Sequence, residues 1–262
     1  MKKQLKSSVR ISVISPLETS DWNIGRELLA AFQYTESRLV PQKVGTFEPL
    51  KHAVSCIDDC APFWAIPQSP NIKGLECNAD GFIWKRTNAV KSYGHMMHEH
   101  RNIYGDVRDA WFVFGAAFDR KIVWLRLFER IYEVLKPRYA TLNILGSVED
   151  SPNAFGKEAD ASYATNDHLR GLAPIALEQR GLANLAAVNF FGPDLKGEVS
   201  EESIREAGFP IERFGHEFLV QVAENVFAAE DDFAEFSRRR SELRKLFREG
   251  LFRINHEPSI VE

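Results

Sequence analysis

Residues 82–117 read FIWKRTNAVKSYGHMMHEHRNIYGDVRDAWFVFGAA, and the expected class of fold follows from them. Three segments within this stretch are rich in aromatic and β-branched residues, which is typical of strands: 82–87, 91–98 and 110–117. Only short turn segments separate them, at Asn88 and at 104–106, so there is no room for crossover helices. The stretch therefore predicts an α+β fold with a mixed, largely antiparallel sheet packed with helices.

On the N-terminal side of this stretch the sequence predicts one strand, one helix and an irregular layer. Apolar residues alternate along 9–13, as in a strand with one buried face. Ser20 or Asp21 can cap the helix that follows, which should end before Arg38. Residues 39–78 contain proline and glycine too often for long regular elements, so we expect an ordered layer of turns and extended segments.

On the C-terminal side, apolar residues at helical spacing predict a helix that Asp119 caps and Pro137 ends. Strands are predicted at 139–145, 185–191 and 218–222, a surface loop at the acidic segment 147–168, and a short helix from Ser200 to Gly208. From Asn225 onward we expect the longest helix, with an acidic start and a basic end. Its predicted buried stripe consists of Phe233, Phe236, Leu243 and Phe247. We find no internal repeat and expect a single domain over 1–262.

Composition and charge exclude several classes of protein. The 262 residues carry 33 basic and 37 acidic side chains, a net charge of −4, which argues against a chain that wraps nucleic acid or attaches to anionic membranes. No apolar run approaches the roughly 20 residues that a membrane span needs, and the N-terminus does not read as a signal peptide. The three cysteines cannot all pair, so a reducing, cytoplasmic location is expected.

A run of three histidines provides the main alternative, a metal-dependent enzyme. His95, His98 and His100 fall within six positions, and imidazole is a common zinc ligand. On a strand only His98 and His100 share a face, so Cys56, Cys60 or His52 would have to complete the site. We keep this enzyme, using His98, His100 and a cysteine, as the alternative hypothesis.

Other catalytic signals are weak, so we expect no enzyme, no cofactor and no metal. Asp58 and Asp59 lie between Cys56 and Cys60 and should raise a thiol pKa, which disfavours a nucleophile. Paired carboxylates elsewhere are not set in apolar runs. The sequence also contains no phosphate-binding glycine loop, dinucleotide fingerprint, nucleophile elbow or zinc-protease helix.

Four segments together resemble the immunity protein 52 family, cytoplasmic antidotes encoded beside polymorphic toxins of bacteria. They are LLAAF at 28–32, PQKVG at 41–45 leading to FEPL at 47–50, FIWKR at 82–86 and NFFGP at 189–193. The resemblance implies a single immunity-protein-like α+β domain over 1–262. It implies no catalytic residues, and Gly45, Pro49, Gly192 and Pro193 are expected to shape the backbone.

The resemblance also implies a partner, namely a restriction-endonuclease-like DNase toxin delivered by type VI secretion, bound one to one and silenced in the cell that makes both proteins. Carboxylates that stand in for DNA phosphates would suit such a partner, because complementary charge guides association. The expected toxin-binding residues are Glu149, Asp150, Glu158 and Asp160 first, and Asp58 and Asp59 second. Binding over the toxin active site and binding beside it are both open at this point. No nucleic acid or membrane partner is expected.

Overall fold

The computed structural model describes residues 7–66, 81–101, 107–146, 149, 182, 185–252, 254 and 256–258. The strands are β1 Ser8–Ser15, β2 Lys43–Gly45, β3 His52–Ala53, β4 Phe82–Arg86, β5 Ser92–Met97, β6 His100–Arg101, β7 Val107–Arg108, β8 Ala110–Ala117, β9 Tyr139–Leu145, β10 Val188–Phe191, β11 Ile211–Phe214 and β12 Glu217–Gln221. The α-helices are α1 Trp22–Thr35, α2 Ala61–Trp64, α3 Trp124–Leu135, α4 Glu201–Glu206, α5 Ala228–Asp231 and α6 Phe233–Arg244. Short 3-10 helices occupy Ser37–Leu39, Ile57–Cys60 and Pro193–Glu198.

Ten strands form one sheet in the order β11-β12-β10-β9-β1-β8-β5-β4-β2-β3, and β6 pairs separately with β7. The pairings β4–β5 and β5–β8 are antiparallel, as the absence of crossover helices predicts. The same holds for β10 with both of its neighbours. The predicted α+β class with a largely antiparallel sheet is confirmed.

The chain divides into two compact units. The central unit is Ile11–Pro137, and the terminal unit is Met1–Arg10 together with Arg138–Glu262. The expectation of a single domain over 1–262 stays a prediction. No helix among the described residues is long and apolar enough to cross a membrane.

Aromatic side chains build the core of the central unit. Phe32 of α1 contacts the rings of Trp84 and Phe114, with centroids 5.7 and 4.7 Å apart. Trp84 in turn stacks on Phe112, with centroids 5.6 Å apart. All four rings are fully buried, and burial of each aromatic side chain stabilises the fold by about 1.5–3 kcal/mol.

Local signals at the ends of the first two long helices have different outcomes. Asp21 caps α1 as predicted, because its carboxylate accepts a hydrogen bond from the Asn23 N–H at 2.9 Å. The predicted cap of α3 is wrong: Val123 occupies the N-cap position. Asp119 instead stabilises the preceding turn, where its carboxylate accepts from the Lys121 N–H and its carbonyl from the Trp124 indole N–H.

The terminal unit contains strands β9 to β12, of which β11 was not predicted. Its sequence, IERF, is short and mostly exposed, so it lacks the apolar alternation of a half-buried strand. Gly192 and Pro193 do shape the backbone, since β10 ends at Phe191 and a 3-10 helix begins at Pro193. Asn189 is fully buried, and its amide bonds both the N–H and the carbonyl of Ala186 at 2.9 Å.

The predicted long helix from Asn225 is wrong in extent. It is divided into α5 and α6 at Asp232, whose carboxylate accepts from the Glu235 N–H at 3.1 Å and caps α6. With 12 residues, α6 is shorter than α1, which has 14. An N-cap residue has a non-helical backbone, and Asp232 adopts one while its carboxylate binds a free N–H of α6. The helix is therefore interrupted at Asp232.

Candidate functional site

The acidic turn of the central unit holds the two predicted contact residues Asp58 and Asp59 on the 3-10 helix Ile57–Cys60. The Asp59 carboxylate accepts hydrogen bonds from the N–H groups of Ser55 and Cys56, at 2.8 and 3.1 Å. These bonds lower the pKa of Asp59, because they stabilise its charged form. Asp59 therefore has a local structural role as the cap of this turn.

Asp58, like Asp59, is exposed to solvent. Its nearest cation is Arg26 of α1, with Nε and Oδ1 3.2 Å apart and both side chains 61% exposed. An ion pair this exposed contributes little to stability and is readily exchanged. Both carboxylates on the acidic turn are exposed, but Asp59 is engaged in capping the turn, whereas Asp58 is held by an exposed ion pair, so Asp58 is the more available of the two to a partner.

Glu149, the first of the predicted contact residues, is not on the surface. Its side chain is fully buried in the terminal unit, and its Oε1 lies 2.7 Å from Nη1 of Arg240, which is also fully buried. Burial raises the pKa of Glu149 against the opposing effect of Arg240. The structure thus gives Glu149 a role in holding α6. Asp150, Glu158 and Asp160 lie outside the described residues.

Arg240 is the centre of a buried ionic network that also includes Arg244 and Glu257. Glu257 Oε2 lies 2.6 Å from Nη2 of Arg240, and its Oε1 accepts from Arg244. Burial acts to raise the pKa of Glu257, but the two guanidinium groups outweigh it and the pKa is lowered. Ser237 donates a further hydrogen bond to Glu257 at 2.8 Å.

The basic end predicted for α6 did not separate Arg240 from the other arginines, so the network was not predicted. The signal was present: Arg240 lies four residues after Phe236 and three before Leu243, which is the spacing of one helix face. Phe236 and Leu243 are buried as predicted, and Arg240 is buried with them. Arg238 does lie on the exposed side and pairs with Glu235 and Glu242.

The histidines do not assemble into the alternative metal site. His98 is buried, its Nε2–H donates to the Trp64 carbonyl at 2.6 Å, and its Nδ1 lies 3.1 Å from the Thr19 hydroxyl. Both of its ring nitrogens are therefore engaged. His95 packs against Trp111, with ring centroids 4.6 Å apart. Within the described ranges, no three His, Cys, Asp or Glu side chains are grouped so that they could hold a metal ion.

Of the two thiols that could serve the alternative, Cys60 is poorly suited to chemistry. Cys60 is buried, and burial together with the nearby Asp59 raises its pKa to about 12. The thiolate is the reactive form, so burial disfavours chemistry at Cys60, while Cys56 is exposed. The predicted effect of the flanking aspartates is confirmed in direction.

Comparison with known proteins shows a similarity of fold but no match in sequence. No family model matches the chain, and no curated protein matches it in sequence. Among solved structures the chain is similar to the Pseudomonas aeruginosa T6SS protein PA0821, with a TM-score of 0.52 and 11% sequence identity. The similarity covers 94% of this chain and 75% of that one. At this identity the two chains share a fold, and that fold occurs in a protein of the type VI secretion system.

Proposed function

We propose that the protein is an immunity protein that binds and neutralises a cognate bacterial toxin, a restriction-endonuclease-like DNase delivered by type VI secretion. The observation that carries the proposal is the fold similarity to a type VI secretion protein over 94% of the chain. The sequence resemblance to the immunity protein 52 family points independently to the same system. A toxin that cleaves DNA requires its antidote in the cytoplasm, where we place the protein.

Three of the segments that carry the family resemblance lie in the core or at the end of a strand. Such structural positions support the idea that these segments belong to one shared fold. Phe32 of the segment 28–32 packs on Trp84 of the segment 82–86, so two of the segments meet in the core of the central unit. The segment 189–193 includes most of β10 and the start of a 3-10 helix. Phe47, from the segment 41–50, is different, since it is 74% exposed. An exposed aromatic residue suits a contact better than it suits a core.

The proposed mechanism is occlusion without catalysis. A DNase must present a positively charged surface to DNA, and an exposed carboxylate such as Asp58 can take the place of a phosphate there. The antidote then acts by steric and electrostatic exclusion of DNA, in a one-to-one complex that needs no cofactor, metal, nucleic acid or membrane.

Co-expression with the toxin encoded by the adjacent gene tests this function. We expect the chain to restore growth to cells that produce the toxin, to copurify with it in equal amounts and to suppress its cleavage of plasmid DNA. A matched strain that co-expresses an unrelated immunity protein serves as the control. Continued killing with no complex would refute the proposal, as would DNA cleavage that persists in a purified complex.

A further inference from the structure

The central unit presents a sheet face opposite its aromatic core, formed by strands β2, β4, β5 and β8. Adjacent residues of a strand point to opposite faces, and the rings that contact Phe32 all have even numbers: Trp84, Phe112 and Phe114. The strand registers pair odd-numbered residues with odd-numbered residues, for example Ile83 with His95. We call the odd-numbered side the outer sheet face; its side chains include Ile83, Lys85, Tyr93, His95, Met97 and Trp111.

The outer sheet face is unusually apolar and aromatic for a half-exposed surface. On this face Val113 of β8 is buried, whereas Tyr93, His95, Met97 and Trp111 are half-buried, and the rings of His95 and Trp111 are in contact. The outward face of an antiparallel sheet is commonly polar. Tyrosine, tryptophan and methionine are instead the types enriched where proteins bind one another.

Lysines border this apolar area at the end nearer β3. Lys43 of β2 and Lys85 of β4 are direct partners in the strand register, and both are exposed. Like charges directly opposite each other on neighbouring strands are destabilising. The Glu48 carboxylate is 3.8 Å from the Lys85 ammonium in an exposed pair, so it compensates only weakly. Within the part of the chain that is described, Lys43 has no carboxylate partner.

Phe47 provides an exposed aromatic group next to these lysines. It precedes Glu48, whose side chain reaches Lys85, and 74% of its own surface is exposed. A phenylalanine ring in water gains free energy when a partner covers it, and truncation of such rings in interfaces commonly costs much of the affinity.

We propose that the outer sheet face together with Phe47 is the surface on which the toxin docks, and that the toxin meets it with carboxylates beside an apolar patch. This inference rests on the proposed function and names the contact surface for it. Charge complementarity selects the occupant: two copies of this chain would bring the same lysines together, whereas carboxylates on a part of the toxin beside its basic DNA-binding surface would relieve the repulsion between Lys43 and Lys85.

Binding measurements with purified variants of the full chain test the docking surface. The probe is the toxin encoded by the adjacent gene, produced by cell-free synthesis and immobilised for kinetic measurement. We expect Phe47→Ala to weaken binding by about tenfold or more, and the double variant Lys43→Glu with Lys85→Glu to weaken it by a similar factor and to alter its salt dependence. The matched control is Lys121→Glu with Lys196→Glu, which makes the same change of charge at exposed positions elsewhere.

The outcomes separate this inference from the proposed function. Wild-type binding and rescue, with both test variants binding like the control, would overturn the docking surface and leave the function standing. Absence of wild-type binding and rescue would remove the function and this inference together. Because the lysines could also bind the phosphates of DNA, binding to duplex DNA is measured in parallel. Tight DNA binding that the double variant loses would overturn the inference and indicate a nucleic-acid surface. Thermal unfolding of each variant confirms that it is folded.

Discussion

Arg240 and Glu149 show how burial changes the role of a charged residue. Both side chains are completely buried and lie 2.7 Å apart, although they are 91 positions apart in the chain. Removing two charges from water is costly, and only their attraction and additional hydrogen bonds offset that cost. This buried ion pair connects α6 to the segment that contains Glu149. Loss of either partner would leave the other charge buried and uncompensated, so the stability of the fold depends on both.

We therefore predict that Arg240→Ala strongly destabilises the protein. The substitution leaves Glu149 and Glu257 buried without their main counter-charge, which commonly costs about 3–5 kcal/mol. Urea unfolding followed by far-ultraviolet circular dichroism measures the free energy of unfolding. Arg238→Ala is the matched control, since Arg238 lies on the same helix in an exposed pair, and we expect it to have a much smaller effect. Equal losses from the two variants would contradict the structural role of the network.

His98 links stability to pH in a defined direction. Burial lowers its pKa below the ordinary value of 6.5, so the unfolded chain binds a proton at a higher pH than the folded chain does. The stabilisation is present above about pH 6.5 and is lost as the pH falls toward the folded-state pKa.

We predict that the free energy of unfolding decreases as the pH is lowered from about 7 to about 5, and that this decrease is smaller in the variant His98→Gln. Glutamine retains a donor for the Trp64 carbonyl but does not titrate. Chemical unfolding at a series of pH values gives the two slopes, and the same substitution at the exposed His52 is the control. Identical slopes for wild type and His98→Gln would show that His98 does not titrate as its surroundings require.

The fit between β4 and β5 depends on one glycine. Gly94 is the strand partner of Trp84, and a Cβ atom added to Gly94 would lie 2.1 Å from the Trp84 ring. Trp84 is fully buried among other aromatic rings, so it has little room to move. The sheet and the aromatic core are thus joined at a position that tolerates no side chain.

Gly94→Ala should accordingly destabilise the central unit by about 1–3 kcal/mol through overpacking. Thermal unfolding and the near-ultraviolet signal of the tryptophans report the loss of stability and the displacement of the ring. Gly197→Ala is the control, because no atom lies within 4 Å of its added Cβ. A Gly94→Ala variant as stable as the control would mean that the core accommodates the methyl group.

The net charge of −4 is too small for general mimicry of DNA, so charged contacts have to be local. Asp58 and Asp59 are the predicted contact residues whose exposed positions the structure describes, and Asp59 is engaged in its own turn. The docking surface proposed above carries positive charge at Lys43 and Lys85, whereas Asp58 is negative. Charge changes at these two places therefore test two different contacts with the toxin.

If Asp58 contacts a basic part of the toxin, Asp58→Lys should slow association and reduce its dependence on ionic strength, because complementary surface charge acts chiefly on the association rate. Kinetic binding at two or more salt concentrations checks this expectation. Glu224→Lys makes the same charge change at an exposed loop position and serves as control. Equal association rates for the two variants would exclude Asp58 from the interface.

Sequence patterns predicted the elements whose signals are local. The strands β4, β5 and β8 and the helix α1 with its Asp21 cap appear close to where alternation and capping placed them. Such signals act within one or two turns of chain, so the surrounding fold rarely reverses them. The short, exposed β11 and the break at Asp232 escaped prediction, because an edge strand needs no apolar face and a mid-segment cap resembles an ordinary acidic helix start.

The candidate site was less predictable. Sequence alone established that the chain contains acidic residues, an aromatic strand-rich centre and a basic C-terminal helix. Only the tertiary structure decided that Glu149 and Arg240 are buried together, that Asp59 caps its own turn, and that Asp58 faces solvent. The physical reason is that burial and charge pairing depend on residues brought together from distant parts of the chain, whereas strand alternation and helix capping depend on near neighbours.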